Sequence, residues 1–210
     1  MAFDFRKACR ELYQPGREPA LVEVPVMRYA AVEGSGDPNL PGGDYQRAIA
    51  VLYAVAYTVK MSKLGSRSIE GYFDFVVPPL EGFWWMPDGS GVDFSRKADF
   101  RWRSVIRLPD FVTAADFDWA VGEATRKKKV DGSRARLVTV EEGLCAQVLH
   151  VGPYDDEPET IARLGAFVRE RGCAEDFTAE RRHHEIYLSD PRRTAPERQK
   201  TVIRVPVKQV

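Results

Sequence analysis

The chain repeats one short pattern: Ser104-Val105-Ile106-Arg107-Leu108-Pro109 returns as Thr201-Val202-Ile203-Arg204-Val205-Pro206. Both stretches are rich in β-branched and aliphatic residues and end in proline, which is typical of a strand and its end. A pattern that recurs in order within one chain indicates an internal repeat. The pair therefore predicts two similar modules, each closed by one of these strands.

Outward from these strands, the two halves show the same order of elements: a strand, a turn, a helix and two more strands. The sequence thus predicts an α+β fold of two β-α-β-β modules. We expect an N-terminal extension over residues 1–20, followed by a single domain over 21–210. Its half-repeats cover about 21–109 and 136–210, with a connecting helix at about 113–129. The module elements fall at residues 27–32, 45–61, 72–77 and 101–108, and at 144–151, 157–171, 185–188 and 201–207.

The helices are predicted from apolar spacing and from end signals. Thr113 and Asp116 have the spacing of a capping box, in which each side chain satisfies a backbone donor. Gly172 stands where the second module helix should end. Apolar residues recur at steps of three and four in both module helices, as a buried stripe requires: Ala48, Leu52, Val55 and Val59, and Ile161, Leu164 and Val168.

Composition limits the classes of function. The 210 residues include 31 Lys and Arg and 31 Asp and Glu, so the formal net charge is +0. Affinity for nucleic acid depends mainly on excess positive charge, so we expect no nucleic-acid partner. No stretch approaches the roughly 20 apolar residues of a membrane span. Three widely spaced cysteines and a charged N-terminus fit a cytoplasmic protein.

Motifs for common cofactors and metals are missing from the sequence. There is no P-loop, dinucleotide fingerprint or serine nucleophile elbow, so we expect no cofactor. His183 and His184 are adjacent, and adjacent side chains on a strand point to opposite faces. They cannot hold one metal ion together, and no Cys or acid at zinc spacing accompanies them. We therefore expect no metal site.

The strand around Glu185 carries the strongest sign of a site. Period two puts Glu185 and Tyr187 on one face, and Ile186 and Leu188 on the other, where we expect the helix to pack. In the first module, Tyr72 and Asp74 alternate in the same way with Phe73 and Phe75. If the two strands correspond, Tyr72, Asp74, Glu185 and Tyr187 line one shared groove.

A carboxylate among aromatic rings suits two kinds of chemistry. It can pair with a ligand cation that stacks on the rings, or it can act as a general acid or base. The alternative is an ordinary surface glutamate paired with Arg107 or Arg204. Phe83, Trp84 and Trp85 form an aromatic run that supplies either a pocket wall for a flat ligand or a strand buried on both faces. Trp102 is a further candidate wall residue, and its alternation also fits a core position.

Together these motifs resemble the GyrI-like (gyrase-inhibitor-like) effector-binding family, in its stand-alone bacterial branch. The resemblance extends over most of the chain and is carried by the order and spacing of four stretches. These are residues 33–39, residues 48–57, His150-Val151-Gly152-Pro153-Tyr154, and His184-Glu185-Ile186-Tyr187-Leu188-Ser189-Asp190-Pro191.

The resemblance implies modules related by a pseudo-twofold axis, with a ligand cleft between them. It also implies that Glu185 is the acidic centre of an aromatic pocket. Relatives fused to DNA-binding domains sense drug-like cations there. Some stand-alone relatives hydrolyse cyclopropane-bearing natural products; for that reaction, Glu185 would position or deprotonate water. The hydroxyl of Tyr72, Tyr57 or Tyr187 would polarise the ligand.

Three functions therefore remain open. The first is binding of a flat aromatic or cationic small molecule, as in multidrug or xenobiotic binding. The second is hydrolysis of a cyclopropane-bearing electrophile, with Glu185 and Tyr72 as the catalytic residues. The third is a protein-interaction role, such as modulation of gyrase. The expected ligand-binding residues are Glu185, Tyr187, Tyr72, Tyr57, Phe83, Trp84, Trp85 and Trp102.

Overall fold

A computed structural model describes residues 1–65, 67–89 and 91–210. Antiparallel pairing joins its strands into one sheet. The strands are β1 (Ala20–Val24), β2 (Met27–Ser35), β3 (Leu80–Trp85), β4 (Arg101–Arg107), β5 (Arg136–Val140), β6 (Gly143–Val151), β7 (Cys173–Glu175), β8 (His183–Tyr187) and β9 (Lys200–Gln209). The helices are α1 (Phe5–Ala8), α2 (Arg10–Tyr13), α3 (Asp44–Met61), α4 (Ala114–Lys128) and α5 (Glu157–Glu170).

The strand order is β1-β6-β9-β8-β3-β4-β2-β5, and β7 pairs with β9. The first half contributes β2, α3, β3 and β4, and the second contributes β6, α5, β8 and β9. The predicted α+β class with two β-α-β-β units is confirmed. The pseudo-twofold axis and the limits of the half-repeats stay predictions.

The strands β3 and β8 are neighbours in the sheet, where the two halves meet. Each half also supplies one edge strand to the other. β1, which precedes the first unit, pairs with β6 of the second, and β5, which precedes the second, pairs with β2 of the first. The halves therefore share a continuous ladder of backbone hydrogen bonds, and residues near β3 and β8 come from both.

The long helices form where the apolar stripes predict them. Ala48, Leu52, Val55 and Val59 of α3 are all buried, and so are Leu164 and Val168 of α5. Thr113 and Asp116 form the capping box at the start of α4. Gly172, just beyond α5, has φ +66°, the left-handed conformation that favours glycine.

The predicted strand at residues 72–77 is wrong. That segment is irregular, and Phe75 makes only an isolated bridge to Phe3. The strand lies instead at Leu80–Trp85, after Pro78 and Pro79, and it occupies the position between β4 and β8. Both segments are rich in aromatic residues, and local alternation does not decide which of two neighbouring segments pairs with the sheet.

The two faces of the sheet are covered differently. On one face, Tyr45 of α3 packs against Trp84 and Trp102. On the other face, Leu12 and Tyr13 of α2 are buried, and the Tyr13 hydroxyl donates to Glu81.

Among the described residues, no helix combines the length and the apolar character needed to cross a membrane.

Candidate functional site

Glu185 lies on β8 at the centre of the sheet, with 6% of its surface exposed. Its two oxygens have different partners. His183 Nε2 lies 3.1 Å from Oε1, and the Tyr187 hydroxyl donates to Oε2 at 2.8 Å. All three side chains alternate along β8 onto one face, as period two requires. The backbone of one short strand thus holds a carboxylate between two hydrogen-bond partners.

Trp84 extends this chain of hydrogen bonds across the boundary between the halves. Its Nε1 donates to the Tyr187 hydroxyl at 2.9 Å. Gly82 pairs with Glu185 in the register of β3 and β8. A Cβ atom at Gly82 would lie 2.6 Å from Trp84 Nε1 and 3.1 Å from the Tyr187 oxygen. The missing side chain at position 82 therefore makes room for the contact that orients Tyr187.

A cavity of about 380 Å³ opens beside Glu185. Its wall contains residues of both halves, including Trp84, Phe94, Phe100, Tyr154, Glu157 and Glu185. An ion pair joins two turns at this wall. The ammonium group of Lys97 lies 2.7 Å from the carboxylate of Asp155. Lys97 belongs to the turn Phe94–Asp99 and Asp155 to the turn Tyr154–Asp156. A volume of this size and an aromatic wall suit a small organic molecule.

Glu157, the first residue of α5, is a second carboxyl group in the cavity wall. Its side chain is fully buried, and among the described residues neither carboxyl oxygen forms a hydrogen bond of ordinary geometry, although the Thr201 hydroxyl nearby lowers its pKa. Burial, and then the negative charge of Glu185, raises the pKa of Glu157 well above its ordinary value. Its environment therefore favours the protonated form of the Glu157 carboxyl group.

Three tyrosines surround the two carboxyl groups. Burial is the main cause that raises the pKa values of Tyr45, Tyr154 and Tyr187, and the charge of Glu185 adds to it in each case. All three hydroxyls therefore keep their protons. Tyr187 donates its proton to Glu185, whereas Tyr154 lines the cavity and can donate a hydrogen bond to a molecule there.

The structure brings only some of the predicted site residues together. Glu185, Tyr187 and Trp84 form one hydrogen-bonded group. Phe83 points to the opposite face and stacks on His184 at 4.1 Å between ring centroids. Trp85 is half-buried beneath the Arg182 guanidinium.

Trp102 is buried against Tyr45, next to the cavity wall residue Trp84. Tyr57 is 49% exposed on α3 and contacts Tyr53. It therefore lies outside the hydrogen-bonded group around Glu185.

The expected alignment of Tyr72 and Asp74 with Glu185 is wrong. Gly82 of β3, and not Tyr72, stands opposite Glu185. The Tyr72 hydroxyl donates to the Lys60 carbonyl, and Asp74 forms ion pairs with Lys60 and Lys63. The expectation failed because it used residues 72–77 as the strand that pairs beside β8.

The prediction that a helix packs on the face of β8 that carries Ile186 and Leu188 is also wrong. Tyr45 of α3 contacts Trp84, which hydrogen-bonds to Tyr187 on the same face as Glu185. Ile186 pairs with Glu81 on the other face, where Tyr13 of α2 donates to the Glu81 carboxylate. The aliphatic face is thus covered by the N-terminal segment. Glu185 and Tyr187 lie on the face that α3 covers, where the cavity forms.

The opposite face of β8 carries a buried cluster of charged groups. Nδ1 of His184 lies 3.0 Å from Glu142, and Nε2 lies 3.0 Å from Glu81. Arg204 pairs with Glu142 at 3.1 Å and donates to the carbonyl of Leu12 in α2. Arg204 is therefore not a partner of Glu185, and the alternative of a surface glutamate is wrong.

Sequence reasoning missed three residues beside Glu185: Tyr45, Tyr154 and Glu157. A glutamate in the first turn of a helix is common, because its charge suits the positive end of the helix dipole. Nothing local distinguishes Glu157 from such a residue. His183 was recoverable, since period two places it on the face of Glu185. In the described part of the chain, no group of three or more His, Cys, Asp or Glu residues could hold a metal ion.

Residues 17–208 match a family described as a GyrI-like small molecule binding domain. No curated protein matches the chain. Among solved structures, an uncharacterized conserved protein from Listeria innocua is 47% identical, with a TM-score of 0.91, and the match covers 98% of this chain and 100% of that one.

A structure described as a hydrolase from Listeria innocua is 46% identical, with a TM-score of 0.89 and the same coverage of 98% and 100%. The EcmrR C-terminal domain is 14% identical, with a TM-score of 0.51, and the match covers 92% of this chain and 98% of that one. The similarity to the EcmrR C-terminal domain shows a shared fold only.

Proposed function

We propose that this chain, which belongs to the GyrI-like small molecule binding domain family, is a hydrolase that adds water to an electrophilic small molecule. The substrate class is a strained, cyclopropane-bearing natural product, and the reaction takes place in the cavity beside Glu185. One observation carries the proposal: a buried carboxylate is fixed by His183 and Tyr187 at the wall of a cavity of substrate size.

The geometry of Glu185 suits activation of water. Each carboxylate oxygen can accept about two hydrogen bonds, and His183 and Tyr187 occupy one position on each. The remaining lone pairs are free to accept from a water molecule in the cavity. The two fixed partners also prevent rotation of the carboxylate, so it needs little reorganisation when the water reacts.

The proposed reaction is a water addition in which all atoms are retained. The water oxygen forms a bond to a carbon of the strained ring, and Glu185 takes one water proton. The ring C–C bond breaks, and its electron pair passes into the conjugated acceptor group of the substrate. That group then takes a proton, so the product contains the elements of one added water molecule. Aromatic side chains such as Trp84 and Phe100 exclude bulk water from the ring.

Similarity to a solved structure described as a hydrolase also supports the proposal. The Listeria innocua protein described as a hydrolase is similar over its whole length, at 46% identity. Identity at this level normally preserves the arrangement of a site, although fold similarity alone does not establish a reaction. The cavity and Glu185 supply the specific argument.

The test is turnover of a cyclopropane-bearing alkylator, followed by mass spectrometry. Wild-type protein should form the water adduct catalytically, and Glu185→Gln should reduce the rate by about 10²–10⁴-fold, the usual contribution of a general base. Glu180→Gln, at an exposed position shortly before β8, is the matched control and should keep the wild-type rate. Equal rates in wild type and Glu185→Gln would contradict the proposal.

A second candidate function is binding of a flat aromatic cation without turnover. It is favoured by the aromatic wall and by the Glu185 carboxylate beside it. Cationic dyes should then bind more weakly to Glu185→Gln, by about 1–3 kcal/mol, and no product should form. Saturable dye binding without any adduct from an electrophile would favour this second function over hydrolysis.

A further inference from the structure

Glu157 is a buried acid with no partner in the described part of the protein. Its side chain has 0% exposure, lines the cavity, and makes no hydrogen bond through either oxygen. Buried polar groups in native proteins are nearly always paired, and an exception needs an explanation. A bound molecule that enters the cavity and contacts Glu157 would supply the missing partner.

The surroundings of Glu157 do not neutralise a negative charge. Glu185 faces it from β8 and Asp155 precedes it in the adjoining turn, and the charges of both raise its pKa. The hydroxyl of Thr201 on β9 lowers the pKa of Glu157 but carries no charge. Lys97 is the nearby cation, but its ammonium group is already paired with Asp155. Burial, and then the charge of Glu185, raises the pKa of Glu157 well above its ordinary value. The surroundings of this carboxyl group therefore favour its protonated form.

We propose that Glu157 is the proton donor of this site, and that its carboxylic acid donates a hydrogen bond to the carbonyl oxygen of a neutral electrophile. The inference rests on the proposed function and deepens it. It divides the chemistry between two carboxyl groups whose environments differ: Glu185 has two hydrogen-bond partners, and Glu157 has none among the described residues. Such a difference is the usual basis for assigning an acid and a base to a pair of carboxyl groups.

The two carboxyl groups complete the water addition together. Glu185 takes a proton as the water oxygen attacks the ring carbon. The electron pair of the broken C–C bond moves into the conjugated carbonyl group, and its oxygen takes the proton of Glu157. Glu157 is left as a carboxylate and Glu185 as an acid. One proton passes from Glu185 to Glu157, directly or through water, and the starting state returns.

This assignment narrows the class of substrate. A neutral molecule with a carbonyl group conjugated to its strained ring can accept from Glu157 and present the ring carbon to water near Glu185. A permanent cation has no proton acceptor for Glu157 and gains the attraction of only one carboxylate. The site should therefore turn over neutral conjugated electrophiles and should not need a cationic group on them.

The experiment compares wild type, Glu157→Gln and Glu159→Gln with a neutral electrophile whose cyclopropane is conjugated to a carbonyl group. Glutamine keeps the shape of Glu157 but has no acidic proton to transfer. We expect kcat to fall by about 10²–10⁴-fold with little change in KM. The alkaline limb of the wild-type kcat profile should also disappear. Glu159 is exposed in the same turn of α5, so Glu159→Gln should keep wild-type kcat.

Failure of this inference is distinguishable from failure of the proposed function. If wild type turns over the electrophile and Glu157→Gln does so with equal kcat and the same pH profile, Glu157 is not the donor, and the hydrolase stands. If wild type produces no adduct, the proposed hydrolase fails, and the proton-donor role in that reaction fails with it.

A second measurement does not depend on turnover. The infrared difference spectrum of wild type minus Glu157→Gln, recorded near neutral pH, should contain the C=O stretching band of a protonated carboxylic acid. That band should shift when the neutral electrophile binds. Absence of the band would overturn the inference, whatever the protein does to the substrate.

Discussion

The indole nitrogen of Trp84 lies 2.9 Å from the hydroxyl oxygen of Tyr187, although 103 positions separate the two residues in the chain. Trp84 is on β3 of the first half, and Tyr187 is on β8 of the second. An indole can only donate, so the Tyr187 oxygen accepts from Trp84 and its own proton is directed to Glu185. The orientation of the central carboxylate therefore depends on both halves.

Trp84 should report ligand binding, whereas Trp85 should not. Trp84 lines the cavity, and Trp85 packs against Arg182 outside it. A ligand that enters the cavity changes the surroundings of the Trp84 indole, so its fluorescence should change. In a fluorescence titration, Trp84→Phe should lose the ligand-dependent signal and Trp85→Phe should keep it. A signal that survives in Trp84→Phe and vanishes in Trp85→Phe would place the ligand elsewhere.

Tyr187→Phe should destabilise the protein as well as reduce turnover. The substitution leaves the buried Trp84 N–H without an acceptor and removes one donor from Glu185. An unpaired buried polar group costs about 1–3 kcal/mol, so the free energy of unfolding in urea should fall by that amount. Tyr57→Phe is the matched control, because Tyr57 is 49% exposed. Its stability should stay within about 0.5 kcal/mol of wild type. Equal stability of both variants would contradict the importance of the hydrogen bond.

The sequence predicted those parts of the fold and of the site that depend on local pattern. The stripes of α3 and α5, the capping box of Thr113 and Asp116, and the shared face of Glu185 and Tyr187 all follow from spacing alone. The exchange of β1 and β5 between the halves does not, because local sequence says little about which distant strand pairs with an edge. The strand was predicted at residues 72–77 instead of 80–85 for the same reason.

Glu157 was hidden for a different reason. Its significance comes from burial and from the absence of a partner among the described residues, and both depend on the tertiary structure. The residue type at the start of a helix indicates neither the burial of its side chain nor the absence of a partner. The shared face of Glu185 and Tyr187 could be inferred from sequence, but the pair of carboxyl groups with opposite environments could not.

Gly82→Ala should disturb the site from a position that cannot contribute chemistry itself. The new Cβ would lie 2.6 Å from Trp84 Nε1, so the indole has to move away from Tyr187. We expect turnover to fall by about tenfold or more, since a displacement near 1 Å at a catalytic group can cost about 10²-fold. Gly122→Ala is the control, because a Cβ atom added at Gly122 on α4 would extend into open space. It should keep wild-type turnover and gain up to about 1 kcal/mol of stability from helix propensity. Wild-type turnover in Gly82→Ala would show that the Trp84 contact is dispensable.

The charged cluster behind β8 should make stability depend on pH through His184. Burial lowers the pKa of His184, but Glu142 and Glu81 outweigh burial, so its pKa is raised. A group whose pKa is higher in the folded state contributes fully below its unfolded value of about 6.5. That contribution is lost as the pH rises through the folded value. The free energy of unfolding of wild type should therefore decrease from about pH 6.5 upward.

Glu142 should act in the opposite direction. Burial raises its pKa, but the charges and hydrogen bonds of His184 and Arg204 outweigh burial and lower it to about 2. Its contribution is present above the unfolded value of about 4.3 and is lost as the pH falls through about 2. Urea unfolding of wild type, His184→Gln and Glu142→Gln across both ranges measures the two effects separately. The alkaline decrease should be weaker in His184→Gln, and the acid loss should be weaker in Glu142→Gln. An alkaline decrease of equal size in wild type and His184→Gln would assign it to another group.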